Sequence, residues 1–406
     1  MNDLEEQLHL ACSTGNVHQV QQLLNNNRQI SLNNQDDLGQ TPFYIACQKG
    51  HIEIVKLLLT DERVDINKAS DEVTPLNAAC KEGHLEIVKL LVNDERVDPN
   101  EANKYGQTPM MTACINGHVE VVRLLLNDQR VDVEKEYSSD FASFSHGCQY
   151  GSVKVIELLV NDQIVSVMKS FHSDCTSLQH ACQNGHIEVV KLLLNDERVD
   201  VNQTKGSSKQ TPFYIACHNG YPEVVKLLSN DSRVDMMKAN RDQETPFWVA
   251  CENGQMDIVN LLLNDIRIDV AKENGYGKSP FYIACERGYA GIVRLLLNNQ
   301  RVDVKKANNN GETPLWIACS WGRINVLEEI LANRRNVNLV AKNIEGKAAI
   351  DIARERMNED PWYWNEKYYE TKKETSRNII ELLESYERNP NQTRMRLRVQ
   401  LGLTGI

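Results

Sequence analysis

Ten of the eleven cysteines recur at an almost fixed interval: Cys12, Cys47, Cys80, Cys114, Cys148, Cys182, Cys217, Cys251, Cys285 and Cys319, separated by 33 to 35 residues. Thiols can ligate zinc, close disulfides or act as nucleophiles, but each of those chemistries needs groups that converge. Single thiols spread evenly along the chain do not converge. They mark one place in a repeated structural unit, as small buried apolar residues kept reduced.

Histidine shows the same habit. His51, His84, His118 and His186 each follow a glycine at one position of the repeat, which reads as a structural role. The densest mixed cluster is His146, Cys148, His172, Cys175, His180 and Cys182. Two of its thiols belong to the periodic series, so no metal and no cofactor is expected there. CxxC pairs, a Walker loop, a dinucleotide fingerprint and HExxH are absent from the sequence, so no enzyme is expected. Cys175, out of step with the other ten, is the thiol expected to react.

The elements that position these residues follow from one copy, Thr41 to Val73. Thr41 suits an N-cap and Pro42 the first helical position, where a missing N–H costs nothing. Ile45, Ala46 and Cys47 give a short helix with a small inner face, and Gly50 ends it by tolerating a left-handed backbone. A second helix runs from His51 to Leu59, with Ile52, Ile54, Val55, Leu58 and Leu59 spaced for burial. Val64 to Asn67 then extends into a polar turn before the next Thr-Pro. Neither helix is long enough to be stable alone, so stacking must supply the core. Copies begin at Thr41, Thr74, Thr108, Thr176, Thr211, Thr245, Ser279 and Thr313.

This unit resembles the ankyrin repeat, with its Thr-Pro-Leu-His-x-Ala run, Gly-His pair and aliphatic second helix. The resemblance covers about Leu4 to Ala353, and in length and uniformity it is similar to the expanded ankyrin families of protists and large viruses. It implies an all-α solenoid of about eleven helix-turn-helix units with β-hairpin-like connecting turns and a modified C-terminal cap. Residues 1–40 would be an N-terminal capping repeat, 41–346 the array, 347–387 a C-terminal capping repeat with an insertion, and 388–406 a basic tail. The chain departs from the family pattern in three ways. Asn-Asp-x-Arg replaces the usual Gly after the second helix, as at Asn93 to Arg96; the second Ala becomes Cys; and the His becomes Tyr44, Asn77, Met111, Tyr214, Trp248, Tyr282 or Trp316.

Repeats five and six, about 134–210, are irregular. Ala142-Ser143 stands where Thr-Pro belongs, Gly147 precedes Cys148, and Thr176-Ser177 lacks the proline. Ordinary degeneration and a hinge or reshaped site are both compatible with that. The last repeat is interrupted by a charged insertion with an aromatic burst, Pro361 to Tyr369, before a second helix expected at Asn378 to Tyr386. That segment could cover the open end of the array or be a recognition element. The tail from Thr393 alternates basic and apolar residues, which suits a strand or peptide ligand as well as a helix.

Net charge is −11, yet nothing after Glu387 is acidic and Arg388, Arg394, Arg396 and Arg398 are basic. The acidic array argues against a nucleic-acid groove and favours basic or mixed-charge protein partners. No signal peptide and no membrane span are read, and the expected setting is the cytoplasm, with the nucleus open. A monomer is expected.

The resemblance places partner contacts on the concave side, at turn tips and exposed ends of first helices. The candidates there are Tyr105, Phe141, Tyr150, Tyr214, Trp248, Tyr276, Tyr282, Trp316 and Trp321. Tyr214, Trp248, Tyr282 and Trp316 hold one position in four consecutive repeats, so they should form a ladder. Packing and binding both remain open for that ladder. Asn67 and Asn202 fit an asparagine-hydroxylation pattern of the family, against a plain turn-capping role. The leading function is a protein-interaction scaffold; the alternative is an adaptor whose segment 361–406 docks an enzyme or membrane while the array selects a target.

Overall fold

Each first helix starts from the Thr-Pro pair as expected. The hydroxyls of Thr41, Thr74, Thr108, Thr211, Thr245, Ser279 and Thr313 accept the backbone N–H three residues on, at 3.1–3.2 Å. Such a cap contributes about 1 kcal/mol. Repeat six lacks the proline but compensates locally: Thr176 and Gln179 form a reciprocal capping box.

The computed structural model describes residues 3–27, 29–132, 148–161, 176–204, 206–335, 337–358 and 366–403. Phe141, Ala142-Ser143, His146, Gly147, His172, Cys175 and the run Pro361 to Asn365 lie outside the described residues. The chain divides into two compact units, Met1–Val201 and Asn202–Ile406. Both are all-helical among the described residues, with stacked antiparallel helix pairs as expected for an ankyrin-repeat solenoid. The expected hairpins are turns, and an isolated bridge joins Ser70 and Val73. Within each unit first helices pack on first helices and second on second. The ten periodic cysteines are all buried, and none of them is in a disulfide.

The departures from the family pattern become intelligible as ties between neighbouring repeats. In Asp-x-Arg, the Asp94 carboxylate accepts the Arg96 backbone N–H at 3.0 Å and its guanidinium at 2.6 Å. The guanidinium also reaches Leu59 O, 37 residues earlier, at the end of the preceding second helix. Arg198 donates likewise to Val160 O at 2.9 Å and Arg267 to Ser229 O at 3.0 Å. A loop residue of one repeat thus caps the exposed carbonyls of the repeat before it. Asn299 and Asn333 take the Asp place in two repeats, and their amide oxygens accept the N–H of Arg301 and Arg335 equally well.

A second tie runs through the histidines. His84 Nε2 meets Gln48 O at 3.0 Å, His118 meets Lys81 O at 2.8 Å and His186 meets Gln149 O at 2.8 Å. The ring lies against the glycine of the earlier repeat: a Cβ on Gly83, where φ is +76°, would sit 2.5 Å from His118 Nδ1. Gln255 and Arg323 perform the same bridging in the second unit, to His218 O and Glu286 O. A third tie uses asparagine. Asn202 donates to Arg233 O at 2.6 Å and accepts the Asp235 N–H at 2.7 Å, and Asn67 donates to Arg96 O at 2.8 Å. The turn asparagines are therefore brackets between repeats.

The C-terminus differs from expectation in extent. The last second helix is Glu366–Arg388, 23 residues, rather than the short segment around Asn378 to Tyr386. The tail is helical, Pro390–Gln400. It packs on Ile324–Ala332 and on Glu366–Arg388 through Leu397, 1% exposed, with Arg394 donating to the Tyr386 hydroxyl at 2.6 Å. No described helix is long and apolar enough to cross a membrane.

Candidate functional site

The face carrying the turn tips and the C-terminal ends of first helices is where variable residues collect. Six of the described turns are built on one Asn or Asp: Asp36, Asn103, Asn240, Asn274, Asn308 and Asn343. Asn274 Oδ1 accepts the N–H of Tyr276 and Lys278, and Asn103 Oδ1 accepts those of Tyr105 and Gln107. Neighbouring tips in the second unit are joined backbone to backbone: Gly275 N to Asp242 O at 2.8 Å, Asn309 N to Tyr276 O at 3.1 Å, and Ile344 N to Asn310 O at 2.9 Å. Side chains at these tips are therefore presented from a fixed frame.

The four residues of the expected aromatic ladder are buried. Tyr214, Trp248, Tyr282 and Trp316 are only 2%, 2%, 0% and 6% exposed. They lie between first helices and turns as packing residues, which was one of the two readings. Their polar tips explain an alternation in the sequence. The Tyr214 hydroxyl donates to Glu244 at 3.2 Å and accepts from Asn240 at 3.1 Å. Tyr282 repeats this with Glu312 and Asn308, each at 3.1 Å. Trp248, which only donates, instead meets the carbonyl of Lys278 at 2.8 Å. The Lys278 ammonium turns away to Glu286 at 2.9 Å. Trp316 Nε1 has no acceptor among the described residues. Burial first, then the neighbouring glutamates, push the hydroxyls of Tyr214 and Tyr282 well above the ordinary tyrosine range.

The remaining described candidates are presented to solvent. Tyr105 is 64% exposed, Tyr276 63%, Tyr150 54% and Trp321 51%. Lys104 lies 5.2 Å from the Tyr105 ring centre and pairs with Asp71 on the neighbouring turn. Arg323 lies 6.0 Å from the Trp321 ring centre. Around Trp321 the surface is charged and ordered, with Arg287 on Glu252 at 2.5 Å. Phe141 lies outside the described residues.

Sequence reasoning listed Asn77 among the substitutes for the family histidine but missed what its small size does. In the first unit that position reads Tyr44, Asn77, Met111. Asn77 is fully buried; it donates to Glu101 O at 3.1 Å and accepts from Thr112 Oγ1 at 2.7 Å. It does not fill the space that an indole or phenol fills elsewhere. A cavity of about 250 Å³ remains, walled by Tyr44, Val73, Asn77, Glu82, Tyr105 and Ile115 among others. The signal was present: Ser70 and Val73 stand where the turns after Tyr214 and Tyr282 carry the Asn and Glu that hold a tyrosine hydroxyl.

Burial pushes the Cys12 and Cys114 thiols up to about 12, far from any nucleophilic range. No group of acids, histidines and cysteines suited to a metal occurs among the described residues.

A family model for ankyrin repeats, in three copies, matches residues 2–70, 62–137, 140–205, 197–274 and 267–343. Among curated proteins, osteoclast-stimulating factor 1 of Rattus norvegicus is 36% identical over 65 residues, covering 16% of this chain and 29% of that protein. The protein of the same name from Gallus gallus is 35% identical over 65 residues, covering 16% and 31%. The match thus spans less than a third of those relatives' length.

Proposed function

The chain belongs to the ankyrin repeat family, and on that premise we propose that it is a non-enzymatic protein-interaction scaffold. In each unit the partner contacts the turn tips and the C-terminal ends of the first helices. The observation that carries this reading is the contrast in burial among the aromatic residues. Tyr214, Trp248, Tyr282 and Trp316 are packed away, while Tyr105, Tyr150, Tyr276 and Trp321 stay more than half exposed. Large aromatic surface held on ordered backbone binds with little loss of side-chain freedom, and such residues dominate interface energetics. The excess of acidic residues favours basic or mixed-charge protein partners and salt-sensitive association. On this reading residues 1–40 and 347–387 cap the array 41–346, and 388–406 is a basic tail folded onto it.

A second reading keeps the tail as a docking element, because Met395 and Val399 are 71% and 62% exposed beside Arg396. One capture experiment from native lysate separates the two, comparing wild type, a Tyr276→Ala/Trp321→Ala variant and a Met395→Asp/Val399→Asp variant. The scaffold reading expects loss of partners only in the aromatic variant. Loss only in the tail variant would move the binding site to the C-terminal helix.

A further inference from the structure

The cavity beside Asn77 is the place where the first unit breaks its own construction rule. At Tyr214 and Tyr282 the hydroxyl is closed off by a glutamate and an asparagine of the next turn. At Tyr44 those two positions are Val73 and Ser70, the Ser70 hydroxyl donates to Leu38 O at 3.2 Å instead, and the Tyr44 hydroxyl carries no hydrogen bond among the described residues. The opening is made of two tyrosines, Tyr44 nearly buried and Tyr105 64% exposed, with the aliphatic Val73 and Ile115 between polar neighbours. Tyr105 is steadied by Lys104, itself anchored on Asp71.

We propose that the pocket between Tyr44, Asn77 and Tyr105 receives an arginine side chain of a basic partner peptide. This rests on the interaction reading above and names the chemistry of one contact. The walls offer what a guanidinium requires: ring faces for its plane, apolar surface for its methylenes, and a carboxylate, Glu82, with the Tyr44 oxygen as acceptors for its fork of donors. An apolar side chain would fill the volume but leave the Tyr44 hydroxyl desolvated and unpaired. A lysine would reach the carboxylate but could not stack. Local charge agrees. Burial, then Glu82 and Asp71, push the Tyr44 hydroxyl's pKa up, which places both carboxylates within electrostatic reach of the opening. Of the cations nearby, Lys104 is held by Asp71, while Lys81 stands exposed at the pocket wall.

The test uses the full chain, immobilised and panned against a random dodecapeptide library, with binding of the selected peptides then measured. Wild-type selection is expected to return peptides with one fixed arginine. Replacing that arginine by citrulline, of the same shape but uncharged, should weaken binding at least ten-fold. Asn77→Trp, which copies Trp248 and fills the cavity, should reduce binding to background, and Glu82→Gln at the exposed wall should weaken it by about ten-fold. Circular dichroism melting checks that each variant is folded, and the Glu82 variant carries the test if Asn77→Trp is not. Selected peptides that lack a common arginine overturn the proposal, as do peptides indifferent to citrulline and to Glu82→Gln. Peptides that bind tightly but ignore both pocket variants leave the scaffold reading standing while ending this one.

Discussion

Gly83→Ala tests how the repeats are tied together. Gly83 sits at φ +76°, and an added Cβ would lie 2.5 Å from His118 Nδ1 of the next repeat. Two costs follow. Holding an L-residue in the left-handed region costs roughly 1–2 kcal/mol. The imidazole must also move, which breaks its 2.8 Å bond to Lys81 O, a loss of about 0.5–1.5 kcal/mol. The molecule contains its own control. Gly117 occupies the same place one repeat later at φ +72°, but faces Ser152, whose Oγ would be 3.4 Å from a Cβ. Gly117→Ala should therefore show the backbone cost alone, and Gly83→Ala should exceed it by about 1 kcal/mol. Urea titration by circular dichroism gives the global change. Amide exchange over Leu85–Val92 gives the local one, which matters because repeat arrays need not unfold as one unit. Adding His118→Ser to Gly83→Ala should erase the excess relative to His118→Ser alone. Equal costs for the two glycines, or an excess that persists in the double variant, would refute the packing argument.

Two further outcomes follow from the charge and thiol chemistry. Asp61, Asp94, Asp128, Asp196, Asp231 and Asp265 are held below the usual carboxylate range, chiefly by the hydrogen bond from the arginine two residues on. Because the folded pKa is the lower one, their stabilisation is present above the unfolded value of about 3.9 and is lost as pH falls through the folded values. Asp94→Asn, which copies Asn299, should lower stability at pH 7 by no more than about 1 kcal/mol, with the gap shrinking as pH falls below about 3.9; a gap that widens on acidification would contradict the sign. Native protein treated with iodoacetamide at pH 8 should keep all ten periodic cysteines unlabelled by mass spectrometry, with Cys175 the reactive one. Labelling of Cys80 before urea unfolds the chain would show that its burial does not protect it.

The repeat architecture was legible because its signals are local. Thr41-Pro42 and Gly50 fix helix ends through a hydroxyl, a ring and a missing Cβ, none of which needs a distant partner. What escaped were side chains whose role depends on the next copy. Arg96 read as part of a longer loop, yet its guanidinium caps a helix 37 residues earlier. Tyr214 read as half open to a partner, yet Glu244 and Asn240 close over its hydroxyl. Tyr276 and Trp321 were placed from register alone, and exposure at those positions follows from the turn and the helix end. The pocket at Asn77 was hidden because a cavity is a missing volume, visible only when neighbouring repeats are stacked. The tail could not be settled by its alternation, since the surface that selects a helix, Ile324–Ala332, is remote in sequence.

The donors that finish each repeat arrive late in the chain. His84 serves Gln48 O across 36 residues, His118 serves Lys81 O across 37, and Arg198 serves Val160 O across 38. In these histidine and arginine ties the carbonyl is made first and its donor one repeat afterwards, whereas the asparagine brackets run the other way, from Asn67 to Arg96 O. During synthesis, a newly emerged repeat therefore waits with open helix ends until its successor leaves the ribosome.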